Sequence, residues 1–158
     1  MIIESVDIRP FCNSDMCDFK EMFCTYFRND FNIEITDSKA EALCSKIAES
    51  SLSEIVPLDL ILVCGKPVGF ISYQIDHPDS DWCEREGWGF LREIYINRSM
   101  RGKGLGAKLV TYAEKVLYNK GAEHIYLTSD EAGEFWSFCG YKKTGKVSTI
   151  NHDPIYEK

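Results

Sequence analysis

Apolar and polar residues alternate along this chain with two different periods, which predict strands and helices in turn. A loose alternation over Ile2–Ile8 predicts a first strand that ends at Arg9-Pro10. Beyond it, apolar residues recur at helical spacing and predict a helix capped by Asn13 or Ser14. The inward face of this helix carries Met16, Phe19, Phe23, Tyr26 and Phe27.

The next part of the chain predicts a second helix and a hairpin. After an irregular link over Arg28–Ile35, the run Ser38-Lys39-Ala40-Glu41 is a capping box, a pattern typical of a helix start. Pro57 marks the end of this helix, because proline cannot continue the helical hydrogen-bond ladder. Two strands joined by a turn dipeptide follow, at Leu58–Cys64, Gly65-Lys66 and Val68–Ile75.

The second half of the chain begins with an acidic loop, Asp76–Gly87, whose charge is expected to be a solvated surface, and continues as a strand over Trp88–Asn97. An amphipathic pattern over Leu105–Tyr118 predicts a helix ended by Gly121. A strand, a short helix and a final strand or hairpin about Gly145 complete the chain, at His124–Thr128, Glu131–Cys139 and Tyr141–Ile150. The elements predict an α+β fold, a single domain with a mixed, mostly antiparallel twisted sheet flanked by about four helices.

The composition suits one compact domain. The chain has 158 residues, of which 44% are hydrophobic and 27% charged, enough apolar material for a buried core. No apolar run is long enough to span a membrane, and the N-terminus lacks the basic and apolar regions of a signal peptide. The net charge of −7 argues against broad nucleic-acid binding, which needs a basic face.

The cysteines and histidines give no sign of disulfides or of a metal site. The seven cysteines are an odd number without C-x-x-C spacing. Most of them occupy apolar positions of predicted elements, so we expect reduced core cysteines in a cytoplasmic protein. The three histidines are scattered without metal-ligand spacing, and we expect no bound metal.

One glycine-rich segment, Arg101–Gly106, lies between a predicted strand and a predicted helix. A helix start presents unpaired backbone N–H groups and the positive end of the helix dipole, which together form an anion site. The basic residues of this region are Arg98, Arg101, Lys103 and Lys108. Since the region carries +4 and the whole chain −7, the rest of the chain carries −11. A basic loop in an acidic protein favours a phosphate-rich ligand.

Two other phosphate-binding motifs fit this loop less well. Gly102-x-Gly104-x-x-Ala107 matches the dinucleotide fingerprint, but that fingerprint follows the first strand of a doubly wound sheet. Here it comes two-thirds of the way along the chain, with too few residues left for the remaining strands. A P-loop needs Gly-Lys-Ser/Thr after a G-x-x-x-x spacing, which the segment lacks.

Two motifs resemble those of the GCN5-related N-acetyltransferase (GNAT) family. Arg101–Gly106 matches its R/Q-x-x-G-x-G/A signature, Leu91–Ile96 looks like the preceding fourth strand, and Glu134–Tyr141 is similar to its F-Y-x-x-x-G-F element. The order of elements agrees over nearly the whole chain. The resemblance implies one N-acetyltransferase domain over residues 1–158 that transfers an acetyl group directly from acetyl-CoA to a primary amine of a small molecule or peptide.

The resemblance also implies a set of acetyl-CoA contacts. The backbone N–H groups of Gly102–Gly106 would hold the pyrophosphate, and the pantetheine arm would pair with the strand edge at Ile94–Ile96. A backbone N–H near Ile96 would polarise the thioester carbonyl as an oxyanion donor. Ser129 or Asp130 falls where the family often has an asparagine that touches the pantetheine. The implied cofactor residues are Ile94, Tyr95, Ile96, Arg101, Gly102, Lys103, Gly104, Leu105, Gly106, Ala107, Ser129, Asp130 and Trp136.

Two residues are candidates for the proton transfers. Because an alkyl ammonium has a pKa of about 10.4, a base must deprotonate the acceptor amine before it attacks. Glu93 matches an acidic position common in the family, although it could instead be an outward carboxylate paired with Arg92 or a neighbour. Trp136 stands where the family commonly has a tyrosine that protonates the departing thiolate. An indole N–H donates a hydrogen bond but cannot transfer its proton, so Trp136 could equally pack beneath the pantetheine or in the core.

The acceptor site of the family is built from the first helix–helix link, the strand rim and C-terminal segments. Here this implies Tyr26, Asp30 and Glu34, with the acidic loop Asp76–Glu86 and the tail Asn151–Tyr156 as further candidates. Their acidity favours a cationic amine. A homodimer stays open, and so does a second function, a non-catalytic CoA-binding sensor, which the tryptophan in place of the tyrosine motivates.

Overall fold

The computed structural model describes residues 5–53, 55–130 and 133–158. The strands and helices are β1 Val6–Pro10, α1 Met16–Asp30, α2 Asp37–Leu52, β2 Leu58–Val63, β3 Lys66–Ile75, β4 Gly89–Ile96, α3 Leu105–Asn119, β5 Ile125–Thr128, α4 Glu134–Phe138, β6 Lys142–Val147 and β7 Pro154–Glu157. The strands form one sheet in the order β1-β2-β3-β4-β5-β7-β6. β4 and β5 pair in parallel, whereas β1–β2, β2–β3, β5–β7 and β6–β7 are antiparallel. The predicted α+β fold, with a mostly antiparallel sheet and a crossover helix, is confirmed.

The chain divides into two compact units. The first comprises the described part of Met1–Ser72 together with Glu93–Leu109, and the second comprises Tyr73–Arg92 and the described part of Val110–Lys158. Aromatic rings dominate the core of the first unit, where Phe19 packs edge-to-face on Phe70 with ring centroids 5.1 Å apart. The predicted inner face of α1 is confirmed, since its members are buried in this core or packed against it.

Both predicted helix caps in the first unit are wrong. Asn13 and Ser14 lie in a short 3-10 turn that precedes α1, and no side chain caps α1 itself. Helix α2 is capped by Thr36, whose hydroxyl accepts a hydrogen bond from the Lys39 N–H at 3.3 Å, instead of by Ser38. A cap is selected by the backbone conformation of the residue before the first turn, and Thr36 has the extended backbone that this position requires.

Other sequence-based boundaries shift by a few residues. The first strand was expected over Ile2–Ile8; residues 2–4 lie outside the described residues, and β1 continues through Pro10. Helix α2 ends at Leu52, several residues before Pro57. The turn between β2 and β3 falls at Cys64-Gly65, where both residues have positive φ (51° and 80°), as a two-residue hairpin turn requires.

An ion pair between Arg9 and Asp15 sets a pH dependence of stability. The buried Asp15 carboxylate accepts hydrogen bonds from the Arg9 guanidinium at 2.7 and 2.8 Å, and these hold its pKa at about 2, below the usual 3.8. Because the folded pKa is depressed, this stabilisation is complete above the unfolded pKa and is lost as the pH falls towards 2. We expect Asp15→Asn to lower the free energy of unfolding by about 2 kcal/mol at neutral pH. Urea denaturation should show this difference shrinking between pH 4 and pH 2, and a difference independent of pH would contradict the assignment.

The acidic loop of the second unit is not wholly a solvated surface, which corrects the expectation from sequence. Asp76 is buried and accepts hydrogen bonds from the Tyr126 hydroxyl and from the backbone N–H groups of Glu84 and Arg85, both at 3.0 Å. Burial and the hydrogen bond to Asp76 raise the pKa of Tyr126. The carboxylate therefore anchors the loop to β5.

Of the two alternatives for Tyr141–Ile150, a strand or a hairpin about Gly145, the structure has a strand, since Gly145 lies within β6. This strand is not the last one, because the tail over Asn151–Tyr156 enters strand β7, between β5 and β6 in the sheet. The short helix α4 covers Glu134–Phe138, and the predicted residues Glu131 and Ala132 lie outside the described residues.

The cysteines are free, but most of them are not core residues. Cys44 is buried, and burial raises its pKa to about 12. The others are exposed or half-buried: Cys12, Cys17, Cys24, Cys64, Cys83 and Cys139. The sequence pattern failed here because a cysteine at an apolar spacing can lie at the margin of an element. No helix among the described residues is both long and apolar enough to cross a membrane.

Candidate active site

The glycine-rich segment forms an open turn at the start of α3. Gly102 and Gly104 both have a φ of +80°, a backbone conformation that side chains disfavour. The N–H of Lys108 donates to the Gly104 carbonyl at 3.2 Å, which closes the first helical turn. The N–H groups of Leu105, Gly106 and Ala107 precede this bond, so no carbonyl of the helix is placed to accept them.

The surroundings of this turn fit an anion. A Cβ built at Gly102 or at Gly104 would meet no atom within 4 Å, so the backbone at both positions faces open space. Arg98, Lys103 and Lys108 are exposed around it. Unpaired N–H groups, the positive end of the α3 dipole and exposed basic residues close by in the sequence therefore mark the place where a diphosphate could approach the backbone.

Arg101 is held by the protein itself. Its Nε donates to the Ile96 carbonyl at 2.8 Å, and its guanidinium pairs with the Asp30 carboxylate at 3.2 Å and lies 5.6 Å from the centre of the Tyr95 ring. The sequence predicted that Arg101 contacts the cofactor and that Asp30 contacts the acceptor. In the structure the two side chains contact each other and tie the glycine-rich turn to the end of α1.

Glu93 is held by Tyr26. The Tyr26 hydroxyl donates a hydrogen bond to the carboxylate of Glu93, an exposed residue in the C-terminal half of β4. The Tyr26 ring is buried and packs against Tyr95 at 5.6 Å and Phe70 at 6.0 Å, so its hydroxyl has a fixed position. The alternative partner suggested by sequence, Arg92, instead binds Asp81 at 2.9 Å and Gln74 at 2.6 Å.

The remaining predicted site residues have separate surroundings. Within the second unit, the Ser129 N–H donates to the Pro154 carbonyl at 3.0 Å, and Asp130 is exposed. The half-buried Trp136 packs edge-to-face on Phe135 and Tyr141, with ring centroids 4.9 and 5.7 Å apart. Within the first unit, Glu34 is exposed and pairs with Arg28 at 3.5 Å.

Comparison with known proteins decides the family. A sequence model of the acetyltransferase (GNAT) family matches residues 16–141. The chain belongs to this family. As a GNAT protein it is an acyltransferase, and the matched residues include α1, the glycine-rich turn and Trp136. No curated protein sequence matches the chain.

Solved GNAT structures share the fold at low identity. The PaiA N-acetyltransferase from Thermoplasma acidophilum, in complex with coenzyme A, is 19% identical over 98% of each chain, with a TM-score of 0.74. A GNAT-family acetyltransferase from Staphylococcus aureus Mu50 is 18% identical over 98% of each chain, with a TM-score of 0.75. The aminoglycoside N-acetyltransferase AAC(6')-Iy, in complex with CoA, is 16% identical over 95% of this chain and 96% of its own, with a TM-score of 0.73. At these identities the likeness establishes the fold.

Sequence reasoning missed the two contacts that join α1 to the end of β4 and the turn beyond it. Tyr26 and Glu93 are 67 residues apart, and Asp30 and Arg101 are 71 apart. Each residue was recognised alone, but no local pattern links them, because the pairing depends on how α1 packs on the sheet. The available signals were a hydroxyl and a carboxylate near the end of α1, where the resemblance places the acceptor site.

The Arg101 contacts lead to a graded prediction. We expect Arg101→Ala to weaken coenzyme A binding about tenfold, because it removes a cation beside the turn and the bond that fixes the turn to Ile96. Asp30→Asn should change the affinity by less than about threefold, since exposed ion pairs contribute little and the bond to Ile96 remains. Isothermal titration calorimetry with coenzyme A measures both. Unchanged affinity in Arg101→Ala would contradict the prediction.

Proposed function

We propose that this GNAT protein is an acetyl-CoA-dependent N-acetyltransferase that transfers the acetyl group directly to a primary amine of a small molecule or peptide. The observations that carry the proposal are the open, basic, glycine-lined start of α3 and the β4 carboxylate of Glu93, which accepts a hydrogen bond from a tyrosine hydroxyl. We further propose that residues 1–158 act as one N-acetyltransferase domain, in the cytoplasm, without a metal and without nucleic-acid or membrane partners.

In this proposal the backbone binds the donor. The N–H groups from Gly102 to Ala107 would donate hydrogen bonds to the pyrophosphate, with Arg101 and Lys103 beside them. The edge of β4 at Ile94–Ile96 would pair with the pantetheine arm, and an N–H near Ile96 would stabilise negative charge on the carbonyl oxygen. Ser129 and Asp130 are the further candidates for contact with the pantetheine. Bound acetyl-CoA supplies the acetyl group as a thioester.

Glu93 is the proposed base. Since an alkyl amine attacks only when neutral, a carboxylate must take its proton directly or through a water. The hydrogen bond from Tyr26 supports this role because it fixes one carboxylate oxygen of Glu93, which is an exposed residue of β4. Positioning of this kind contributes to the rate by holding the base where the proton is lost.

The departure of the thiolate needs little help from the chain. A thiol has a pKa of about 8.5, so its anion is a tolerable leaving group without an acid. The Trp136 indole N–H can donate a hydrogen bond on the leaving-group side, but it cannot supply a proton. We therefore propose that water protonates the product thiolate.

Trp136 also favours a second candidate, a CoA sensor without activity. The two functions separate in one experiment, in which the purified protein is mixed with acetyl-CoA and a panel of primary amines and the release of free thiol is followed. Thiol release that depends on an amine, with the acetylated amine detected by mass spectrometry, supports the enzyme. Stabilisation against heat by coenzyme A without any turnover across the panel would support the sensor instead.

A further inference from the structure

The acids of the link between α1 and α2 do not present free negative charge. Asp30 pairs with Arg101 at 3.2 Å, and Glu34 pairs with Arg28 at 3.5 Å. Each carboxylate thus has a guanidinium beside it, which reduces the net negative charge that the link presents to a ligand. Together with the acidic loop Asp76–Glu86 and the tail Asn151–Tyr156, these acids were the reason to expect a cationic acceptor. With both of them paired, the link offers little attraction to a polycation.

The same link presents apolar side chains to solvent. Phe31 is 45% exposed and Ile33 is 49% exposed, on either side of Asn32, which has a φ of 55°. The N–H groups of Phe31 and Ile33 both donate to the Phe27 carbonyl, at 3.3 and 3.0 Å. These bonds fix the backbone after α1, and the backbone in turn determines that both side chains are exposed.

A single tyrosine, Tyr26, connects the exposed ring of Phe31 to the proposed base. Phe31 packs edge-to-face on Tyr26 with ring centroids 5.0 Å apart, and the Tyr26 hydroxyl donates to Glu93. Phe27 supports Phe31 from the other side at 5.7 Å. The Phe31 ring is therefore one aromatic side chain, that of Tyr26, removed from an amine whose nitrogen lies at Glu93.

We propose that the acceptor is an amphipathic monoamine, with one primary amine at Glu93 and an aromatic or aliphatic body against Phe31 and Ile33. The inference rests on the proposed function and on Glu93 as its base. Phe31 is then a specificity-determining residue. An apolar wall favours an apolar body by the hydrophobic effect and by ring contact, and it disfavours the second and third charges of a polyamine. It also favours the neutral form of the amine, which is the form that attacks.

The test compares amines that differ in their body. With acetyl-CoA as donor, kcat/KM is measured for 2-phenylethylamine, ethylamine, spermidine and an aminoglycoside. We expect 2-phenylethylamine to exceed spermidine and the aminoglycoside by about tenfold or more, the range that one aromatic contact with apolar burial provides. Phe31→Ala should lower kcat/KM for 2-phenylethylamine about tenfold and leave the value for ethylamine, which lacks a body, within about twofold.

Two further variants control the comparison. Ile55→Ala removes another exposed apolar side chain of the first unit, 67% exposed, and should change none of the four values. Ile33→Asn removes the second apolar side chain of the proposed contact and changes none of the aromatic residues that pack on Tyr26. It therefore keeps the test valid if Phe31→Ala is unstable in thermal melts. A preference for spermidine or the aminoglycoside, or equal effects of Phe31→Ala on 2-phenylethylamine and ethylamine, would overturn the inference and leave the acetyltransferase intact. No turnover with any amine would overturn both.

Discussion

Gly104→Asp should reduce the affinity for coenzyme A about 100-fold, which is about 2.7 kcal/mol. The substitution places a carboxylate where we propose that the diphosphate binds, at the start of α3. Two like charges about 4 Å apart near a protein surface repel by about 4 kcal/mol, and salt and side-chain movement reduce this value. Titration calorimetry with coenzyme A, at a fixed ionic strength, measures the change.

The backbone strain of this substitution needs its own controls. Gly65 has the same φ of +80° and likewise no atom within 4 Å of a built Cβ, but it lies in the β2–β3 turn. Gly65→Asp should therefore cost similar stability and leave the affinity unchanged. Gly104→Ala carries the strain without the charge and should show a smaller loss than Gly104→Asp. Equal affinities in wild type and in a folded Gly104→Asp protein would contradict the proposed pyrophosphate site.

Glu93→Gln should lower kcat about 100-fold or more while the affinity for acetyl-CoA changes by less than about twofold. The amide keeps the size of the side chain and can still accept the hydrogen bond from Tyr26, but it cannot take a proton. The dependence of the rate on pH should also change, because Glu93 no longer takes the proton that the amine loses. Steady-state rates between pH 5 and pH 9, at saturating acceptor, measure both effects.

Tyr26→Phe and Glu41→Gln complete this experiment. Tyr26→Phe removes the hydrogen bond that positions Glu93 and leaves the carboxylate, so it should lower kcat less than Glu93→Gln does and keep the shape of the pH profile. Glu41→Gln neutralises an exposed glutamate of α2 and should leave the rate as it is. A wild-type rate and pH profile in Glu93→Gln would remove this residue as the base.

The parts of the site that sequence predicted are those encoded by neighbouring residues. The predicted start of α3 at Leu105 agrees with the structure, because the glycines before it and the apolar stripe after it are local signals. Its predicted end is also confirmed, at Gly121, which has a φ of 101°. The R/Q-x-x-G-x-G/A signature belongs to the same local stretch, which is why the family could be recognised from the sequence.

The parts that sequence could not predict depend on tertiary packing. Asp76 looked like a surface acid, yet the Tyr126 hydroxyl, 50 positions away, and two backbone N–H groups satisfy it in the interior. The ion pair between Asp30 and Arg101, 71 positions apart, is a second contact that no local pattern predicts. A net charge computed from the sequence treats every such carboxylate as unpaired. In the folded protein, the hydrogen-bond and ion-pair partners of the carboxylate determine whether it can attract a ligand.

The most direct measurement is a crystal structure of the protein with coenzyme A bound. The proposal predicts diphosphate oxygens within about 3 Å of the backbone N–H groups between Gly102 and Ala107, at the start of α3. A coenzyme A molecule bound with its diphosphate away from this turn would contradict the proposed site and the function built on it.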